Sequence, residues 1–369
     1  MHIIPTPSLP ACFVLYEYNP QEFNEYLWDE YIGFSQALAC EANPRDPLPD
    51  AATIRDFHLH PHPLWTFHTW MILEKPGGRL AARAVLYHQK QDLSVGSEAS
   101  QRVNFGCSVR TDCRRKGLGT ALLQTAVQRA RSLGFASIQG ECIQSLGKDF
   151  SVAMGGIESS VQTISRLYLE DVDWELMEAW QTEGRQRNPF TRIESVHILP
   201  DEWMQRYVDL FNFTNRQAPD YDDPDFEPEV ASWEDRRATE ELVREKGIDW
   251  ITLLTVEADG SFSGLTETYH NTHEAYMVEQ GLTGVLETCR GRGLGKCLKA
   301  EMMLRFRNSN PVVQFIYTGN THLNAPMLAI NRRMGFRPYI ERSFLTLALD
   351  DFDRLNGNRN LKDYGDVGV

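Results

Sequence analysis

The 369-residue chain predicts an α/β protein of two tandem domains, each a central mixed but mostly antiparallel sheet flanked by helices. Three observations carry that expectation. A loop with its following helix near residue 114 recurs 176 residues later, near residue 290. Strand-like and helix-like segments follow one another in a similar order in each half. A hydrophobic content of 42% with 11% aromatics is enough, at this length, for two cores of ordinary size.

The repeat weighs most, because internal similarity at a fixed offset constrains the fold before any local assignment is made. The first copy runs from Val109 through Cys113, Arg114, Arg115, Lys116, Gly117, Leu118, Gly119 and Thr120. The second runs from Val285 through Cys289, Arg290, Gly291, Arg292, Gly293, Leu294, Gly295 and Lys296. The same offset carries Leu118, Ala121, Leu122 and Ala126 onto Leu294, Cys297, Leu298 and Met302, one apolar face at helical spacing.

In the first half, residues 12–18 predict a strand and residues 21–42 a helix. Residues 64–87 predict a hairpin turning at Lys75, Pro76, Gly77 and Gly78, where glycine supplies the positive φ of a tight turn. Residues 103–109 alternate apolar and polar as a half-buried strand does. The glycine loop and its helix follow to about Gly134, and residues 136–142 form the next strand. In the second half, helices are expected over 201–215 and 232–246. A hairpin over 250–269 turns at Ala258, Asp259 and Gly260, and a strand covers 312–318. Asn324 as N-cap, Pro326 in the first turn and Gly335 as stop bound the last helix, and residues 337–349 return as a closing strand. The polar stretch 184–192 lacks apolar periodicity and is the expected linker, giving domains 1–184 and 193–352 and a peripheral tail 353–369.

Charge and cysteine content narrow the function. A net charge of −14 argues against a broad phosphate-binding surface, hence against nucleic acid as a partner, and suits a small cationic ligand. Seven cysteines without a CxxC pair argue against a disulfide framework or zinc knuckle and fit a reducing interior. The first ten residues lack the pattern of a signal peptide, and no apolar run approaches the roughly 18 residues of a membrane span, so a cytoplasmic protein is expected.

Small residues between a strand and a helix let backbone N–H groups and the helix N-terminus meet an anion, and a pyrophosphate is the natural guest. A P-loop would need Gly-Lys-Ser/Thr, absent from both copies. A dinucleotide fingerprint would need Gly or Ala where Leu122 and Leu298 stand.

The loops resemble motif A of the GNAT acyltransferase superfamily, Gln/Arg-x-x-Gly-x-Gly/Ala after a strand whose valine lies five residues before the arginine. The segment holding Asn320, Asn324, Asn331, Gly335 and Phe336 resembles the family's terminal helix. The resemblance implies acetyl-CoA as acyl donor, no metal, and a small primary amine as acceptor, attacking directly in a ternary complex. It places the donor on residues 290–296, with Thr283, Gly284 and Val285 pairing with the pantetheine and an N–H aimed at the thioester oxygen, and Asn320, Asn324 and Asn331 nearby. The equivalent cradle in the first half is Val109 with residues 114–120. That half has no matching asparagines after residue 142, so catalysis is expected in the second domain, the first being a CoA-binding or a structural partner.

For a general base, Glu279 and Glu267 are the candidates, with His270 and His273 behind them. Asn331 stands where the family usually has an acidic tyrosine, and an amide cannot serve as proton donor. Tyr317, Tyr339 or water are the alternatives. A non-catalytic CoA-sensing or scaffold protein, or a specialised tandem GNAT resembling mycothiol synthase, remain rival readings. His58, His60 and His62 invite a metal, but Pro61 breaks any helix and no acidic or cysteine ligand accompanies them. Cys113 and Cys289, at equivalent loop positions without an activating histidine nearby, are expected to be packing residues. Residues 220–229 carry six acids in ten and are expected either as a solvated loop or as a recognition element for a cationic acceptor.

Overall fold

The computed structural model describes residues 1–6, 8–90, 102–143, 145–217, 230–309 and 312–356. The chain forms two compact units, Met1–Ser159 together with Ser343–Val369, and Ser160–Arg342.

The first unit opens with β1 (His2–Ile4) and β2 (Phe13–Glu17), then α1 (Glu25–Ala42) and α2 (Ala51–Leu59). The helix expected from residue 21 starts at Glu25 because Asn24 accepts from the Leu27 amide and so fixes the N-cap. A hairpin of β3 (Trp65–Glu74) and β4 (Arg79–Gln89) leads to β5 (Arg102–Val109), α3 (Leu118–Ser132), β6 (Ser137–Cys142) and α4 (Ser145–Ala153). Successive strands from β1 to β5 pair antiparallel, and β5 and β6 pair parallel. Leu118, Leu122 and Ala126 of α3 pack with Trp70, Leu86, Val103 and Ile138 of the sheet, while Trp28, Tyr31 and Phe34 of α1 gather with Met71 and Leu80 in a second cluster.

The second unit takes in most of β7 (Ile157–Tyr168), then α5 (Trp174–Arg187), β8 (Arg192–Val196), α6 (Asp201–Arg216) and α7 (Trp233–Glu245). A capping box between Ser232 and Asp235 starts α7. The strands β9 (Ile248–Val256), β10 (Phe262–Asn271) and β11 (Met277–Val285) pair antiparallel, followed by α8 (Leu294–Ser309), β12 (Phe315–Thr321) and α9 (Ala325–Met334). Asn324 caps α9 by accepting from the Met327 amide, and Gly335 ends it at φ 103°. β8 pairs with β9 on one edge, and β7 pairs antiparallel with β12 on the other. Leu298 and Met302 of α8 cluster with Met177 and Trp180 of α5, whereas Met204, Tyr207 and Val208 of α6 cluster with Leu254 and Leu265.

The last strand, β13 (Arg337–Ala348), carries the chain back into the first unit. Its residues Ser343–Ala348 pair antiparallel with β6, and Leu347, Leu349 and Phe352 join the α3 core, the last two from α10 (Leu349–Asn356). Residues 343–352, placed by sequence in the second domain, thus complete the first. The linker expected at 184–192 differs as well, since its first residues are the last turn of α5. Gly184 is there for close helix packing, because a Cβ on it would lie 2.4 Å from Cβ of Cys297 in α8. A glycine that looks like loop punctuation is here a contact between helices.

Candidate active site

Both glycine loops fold alike. Arg115 and Gly117 have φ of 60° and 78°, and the equivalent Gly291 and Gly293 have 79° and 84°. Two left-handed residues in one loop bend the chain sharply into the helix that follows. Helical bonding begins with the Ala121 amide on Gly117 and the Cys297 amide on Gly293, at 3.0 Å each. The amides of Gly119 and Thr120, and of Gly295 and Lys296, therefore have no acceptor inside their helices. Leu118 and Leu294 turn their side chains into the cores and can offer a ligand only backbone.

The side chains around the loops differ. Arg114 is held bidentate by Glu41 of α1 at 2.6 and 2.7 Å, its Nε donates to the Val109 carbonyl, and Lys116 is tied to the Asp112 carbonyl. The ring of Phe150 stands 3.5 Å from where a Cβ on Gly119 would be. In the second unit nothing lies within 4 Å of a Cβ on Gly291, and one on Gly295 would meet only Val285 Cγ2, at 3.7 Å. Arg290 reaches Gln217, the residue that caps the C-terminus of α6. Arg292, expected among the donor ligands, instead anchors the loop to its surroundings through Asn188, Thr191 and Glu257 at 2.7 to 3.0 Å. A crevice lined by Trp180, Glu183, Arg187, Gly293 and Lys296 borders the loop.

Beneath each loop two parallel strands part. The β11–β12 ladder runs from Met277↔Phe315 to Glu279↔Tyr317 and then stops, although the strands continue to Val285 and Thr321. The β5–β6 ladder likewise stops at Asn104↔Gln139. Among the described residues, only the second unit adds a bulge beside the gap. The register of β10 on β11 shifts between Thr266↔Thr283 and Thr268↔Gln280, leaving Gly281 and Leu282 opposite Glu267. The extra residue frees backbone hydrogen-bonding capacity from the ladder. The corresponding β4–β5 ladder runs from Ala82↔Val109 to Tyr87↔Asn104 without a shift. Thr283 is bonded to Thr266 at 2.7 Å, and Gly284 lets Thr214 of α6 approach to 2.4 Å from where its Cβ would be.

The Acetyltransferase (GNAT) family model matches residues 21–145, within the first unit. No curated protein sequence matches the chain. A solved tandem GNAT protein from the clavulanic acid biosynthesis pathway, without AcCoA, superposes with a TM-score of 0.72 at 20% identity, over 91% of this chain and 98% of its own. The chain has the tandem GNAT fold, and residues 21–145 match the GNAT family model. A GCN5-related N-acetyltransferase from Sphaerobacter thermophilus superposes with a TM-score of 0.62 at 16% identity, over 92% of this chain and 97% of its own. A glucosamine N-acetyltransferase region of a fungal multi-domain β-N-acetylglucosaminidase gives 0.63 at 12% identity, over 92% of this chain and 38% of that one. The family is one of acyltransferases, and the two-domain α/β fold expected from sequence is the one observed.

Within the second unit the two candidate bases have different surroundings. Glu267 is fully buried, accepting from Tyr207 at 2.8 Å, Arg236 at 2.9 Å and Thr252 at 2.9 Å. Arg236 also bonds Glu240 and lies 3.4 Å from the Trp250 ring centroid. Glu267 is therefore the counter-ion that ties α7 to the sheet, and a carboxylate so committed is a poor proton acceptor for a substrate. Glu279 is exposed on β11, next to the gap, and accepts from Tyr317 Oη at 3.0 Å. Burial, then the adjacent Glu279 charge, push the Tyr317 hydroxyl well above its ordinary pKa, so it serves as a donor to Glu279 and not as an acid.

The terminal helix brings an unforeseen residue into the site. Asn331 is 3% exposed, donates Nδ2–H to Asn320 Oδ1 at 2.7 Å, and accepts at Oδ1 from Lys299 Nζ at 2.8 Å. Lys299, on α8, is 1% exposed, and burial alone lowers its pKa to about 7. The only signal for it in sequence is a lysine placed between Leu298 and Ala300, both buried. Asn324, expected near the donor, spends its side chain on the α9 cap.

The remaining candidates have local partners. His270 is buried against the Ala275 carbonyl, His273 is exposed at a turn, and Tyr339 lies under the Arg166 guanidinium, 3.6 Å from its ring centroid. His58 bonds Tyr31, His60 bonds Asp56, and His62 accepts from the Leu64 amide. Burial raises the Cys113 pKa, which suits packing better than nucleophilic attack, and Cys289 Sγ lies 3.8 Å from Thr288 Oγ1 and also interacts with Arg292. The acidic segment 220–229 lies outside the described residues.

Proposed function

We propose that the protein is an acetyl-CoA-dependent N-acetyltransferase whose second unit carries the reaction, acting on a primary amine of a small cationic molecule in the cytoplasm. The observation that carries this reading is the bulge at Gly281–Leu282, which sits beside the parted strands in the second unit and has no counterpart in the first. It supplies backbone capacity where the β11–β12 ladder has ended, the arrangement that oxyanion stabilisation of a thioester needs.

The donor's pyrophosphate meets the amides of residues 290–296, and its pantetheine arm runs along β11 between the parted strands. The amine attacks the thioester carbon while an N–H of the bulge holds the oxygen. Glu279 accepts the amine's proton, and the C–S bond breaks with its electron pair on sulfur. Tyr317 holds the Glu279 carboxylate in place. In this reading the first unit is structural: Glu41 occupies its loop arginine, and the Phe150 ring lies against Gly119.

Glu279→Gln tests the assignment of the base. A drop in kcat of roughly 100-fold or more is expected at neutral pH, with acetyl-CoA affinity unchanged, since general-base catalysis contributes about 10²–10⁴-fold. A folded variant within threefold of wild type would remove Glu279 from the reaction.

A further inference from the structure

Lys299 is a cation taken out of water with no carboxylate to meet it among the described residues, where its one hydrogen bond goes to an amide. Such a residue is expensive to bury and needs a reason. An ammonium can only donate, so the atom of Asn331 facing it must be the oxygen. The Asn331 nitrogen must then face Asn320 and find the oxygen of that amide, as the 2.7 Å contact has it. By the same logic the Asn320 NH₂ group is left facing away from the chain of amides. Asn320 is half-buried on β12, three residues past the last rung shared with β11, and its amide nitrogen has no hydrogen-bond partner among the described residues. One donor-only group at the buried end thus sets the direction of every hydrogen bond up to the gap.

We infer that Lys299 is a positioning residue, which fixes the polarity of the Asn331 and Asn320 amides so that N–H donors meet the sulfur of the departing CoA. This deepens the proposed acetyltransferase reading and rests on it. The site lacks a side-chain acid at position 331, and hydrogen bonds to the thiolate take the place of early protonation. The N–C bond forms, the C–S bond breaks with its electrons on sulfur, the amine's proton leaves through Glu279, and the thiolate then takes a proton from water. An apolar residue at 299 would let the amides turn over, presenting oxygen lone pairs to the anion instead. Burial lowers the Lys299 pKa to about 7, and it is the protonated form, which can only donate, that fixes the polarity of the amides.

Two variants of the full chain test this. Asn320→Asp preserves every hydrogen bond of the internal chain but replaces the outward NH₂ by oxygen. Lys299→Met keeps the volume and removes the anchor. Both are expected to lower kcat about 100-fold, the scale of losing one oxyanion-type donor, while the acetyl-CoA Kd and KM move less than about fivefold. A merely structural role would predict an active, stable Asn320→Asp protein. Folded Asn320→Asp with kcat within fivefold of wild type overturns the inference, as does a loss that appears in acetyl-CoA affinity and not in kcat. If Lys299→Met fails to fold, Asn320→Asp decides alone. Wild-type protein that neither binds nor turns over acetyl-CoA would refute the acetyltransferase reading itself, and the role of Lys299 with it.

Discussion

Gly295→Asp is expected to abolish acetyl-CoA binding at the second unit and amine-dependent thiol release with it, while the protein stays folded. A Cβ at this position meets only Val285, at 3.7 Å, so the side chain fits. A carboxylate in the first turn of α8 is favourable by about 0.3–1 kcal/mol when no other anion is near. With a pyrophosphate present the sign reverses, since like charges about 4 Å apart repel by about 4 kcal/mol at an effective dielectric of 20. Affinity should fall by 100-fold or more in calorimetry, with the circular dichroism spectrum unchanged. A folded Gly295→Asp enzyme with normal turnover would move the chemistry out of the second unit.

Glu267→Gln should do the opposite, with a large loss of stability and a small effect on the chemical step. Removing one partner of a buried ion pair costs about 3–5 kcal/mol. A value near ~3 kcal/mol is expected, because Arg236 keeps Glu240 and the amide can still accept from Tyr207. The urea midpoint reads this directly, and kcat measured well below that midpoint should stay within tenfold of wild type. A stable Glu267→Gln protein that has lost turnover would return Glu267 to the role of base and displace Glu279.

The sequence and the structure agree where the signal is local. The two loops, the helices they start, and the Asn324 and Gly335 caps are set by residues a few positions apart, whose φ preferences and helical spacing are legible one segment at a time. The pairing of β13 with β6 joins segments some 200 residues apart, and no local pattern announces which sheet edge a strand will join. Both loops look equally fit for phosphate because the side chains that distinguish them come from elsewhere: Glu41 on α1 and Phe150 on α4. The same holds for the catalytic candidates. Glu267 and Glu279 are two strand carboxylates in sequence, and only the arrival of Arg236 and Tyr207 from α7 and α6 separates them. Lys299 gives little signal in the sequence because a lysine beside an apolar helical face is usually solvated, and here α9 closes over it.

The division of labour between the units is tested most directly by amine-dependent release of CoA from acetyl-CoA, measured across a panel of primary amines with wild type and Gly119→Asp side by side. Gly119 is the counterpart of Gly295, and a Cβ there makes only ordinary contact with Phe150, at 3.5 Å. Rates within threefold of each other, on the same amines, are expected if the second unit carries the reaction. A folded Gly119→Asp protein that binds acetyl-CoA but releases no CoA would place the chemistry in the first unit and contradict the assignment.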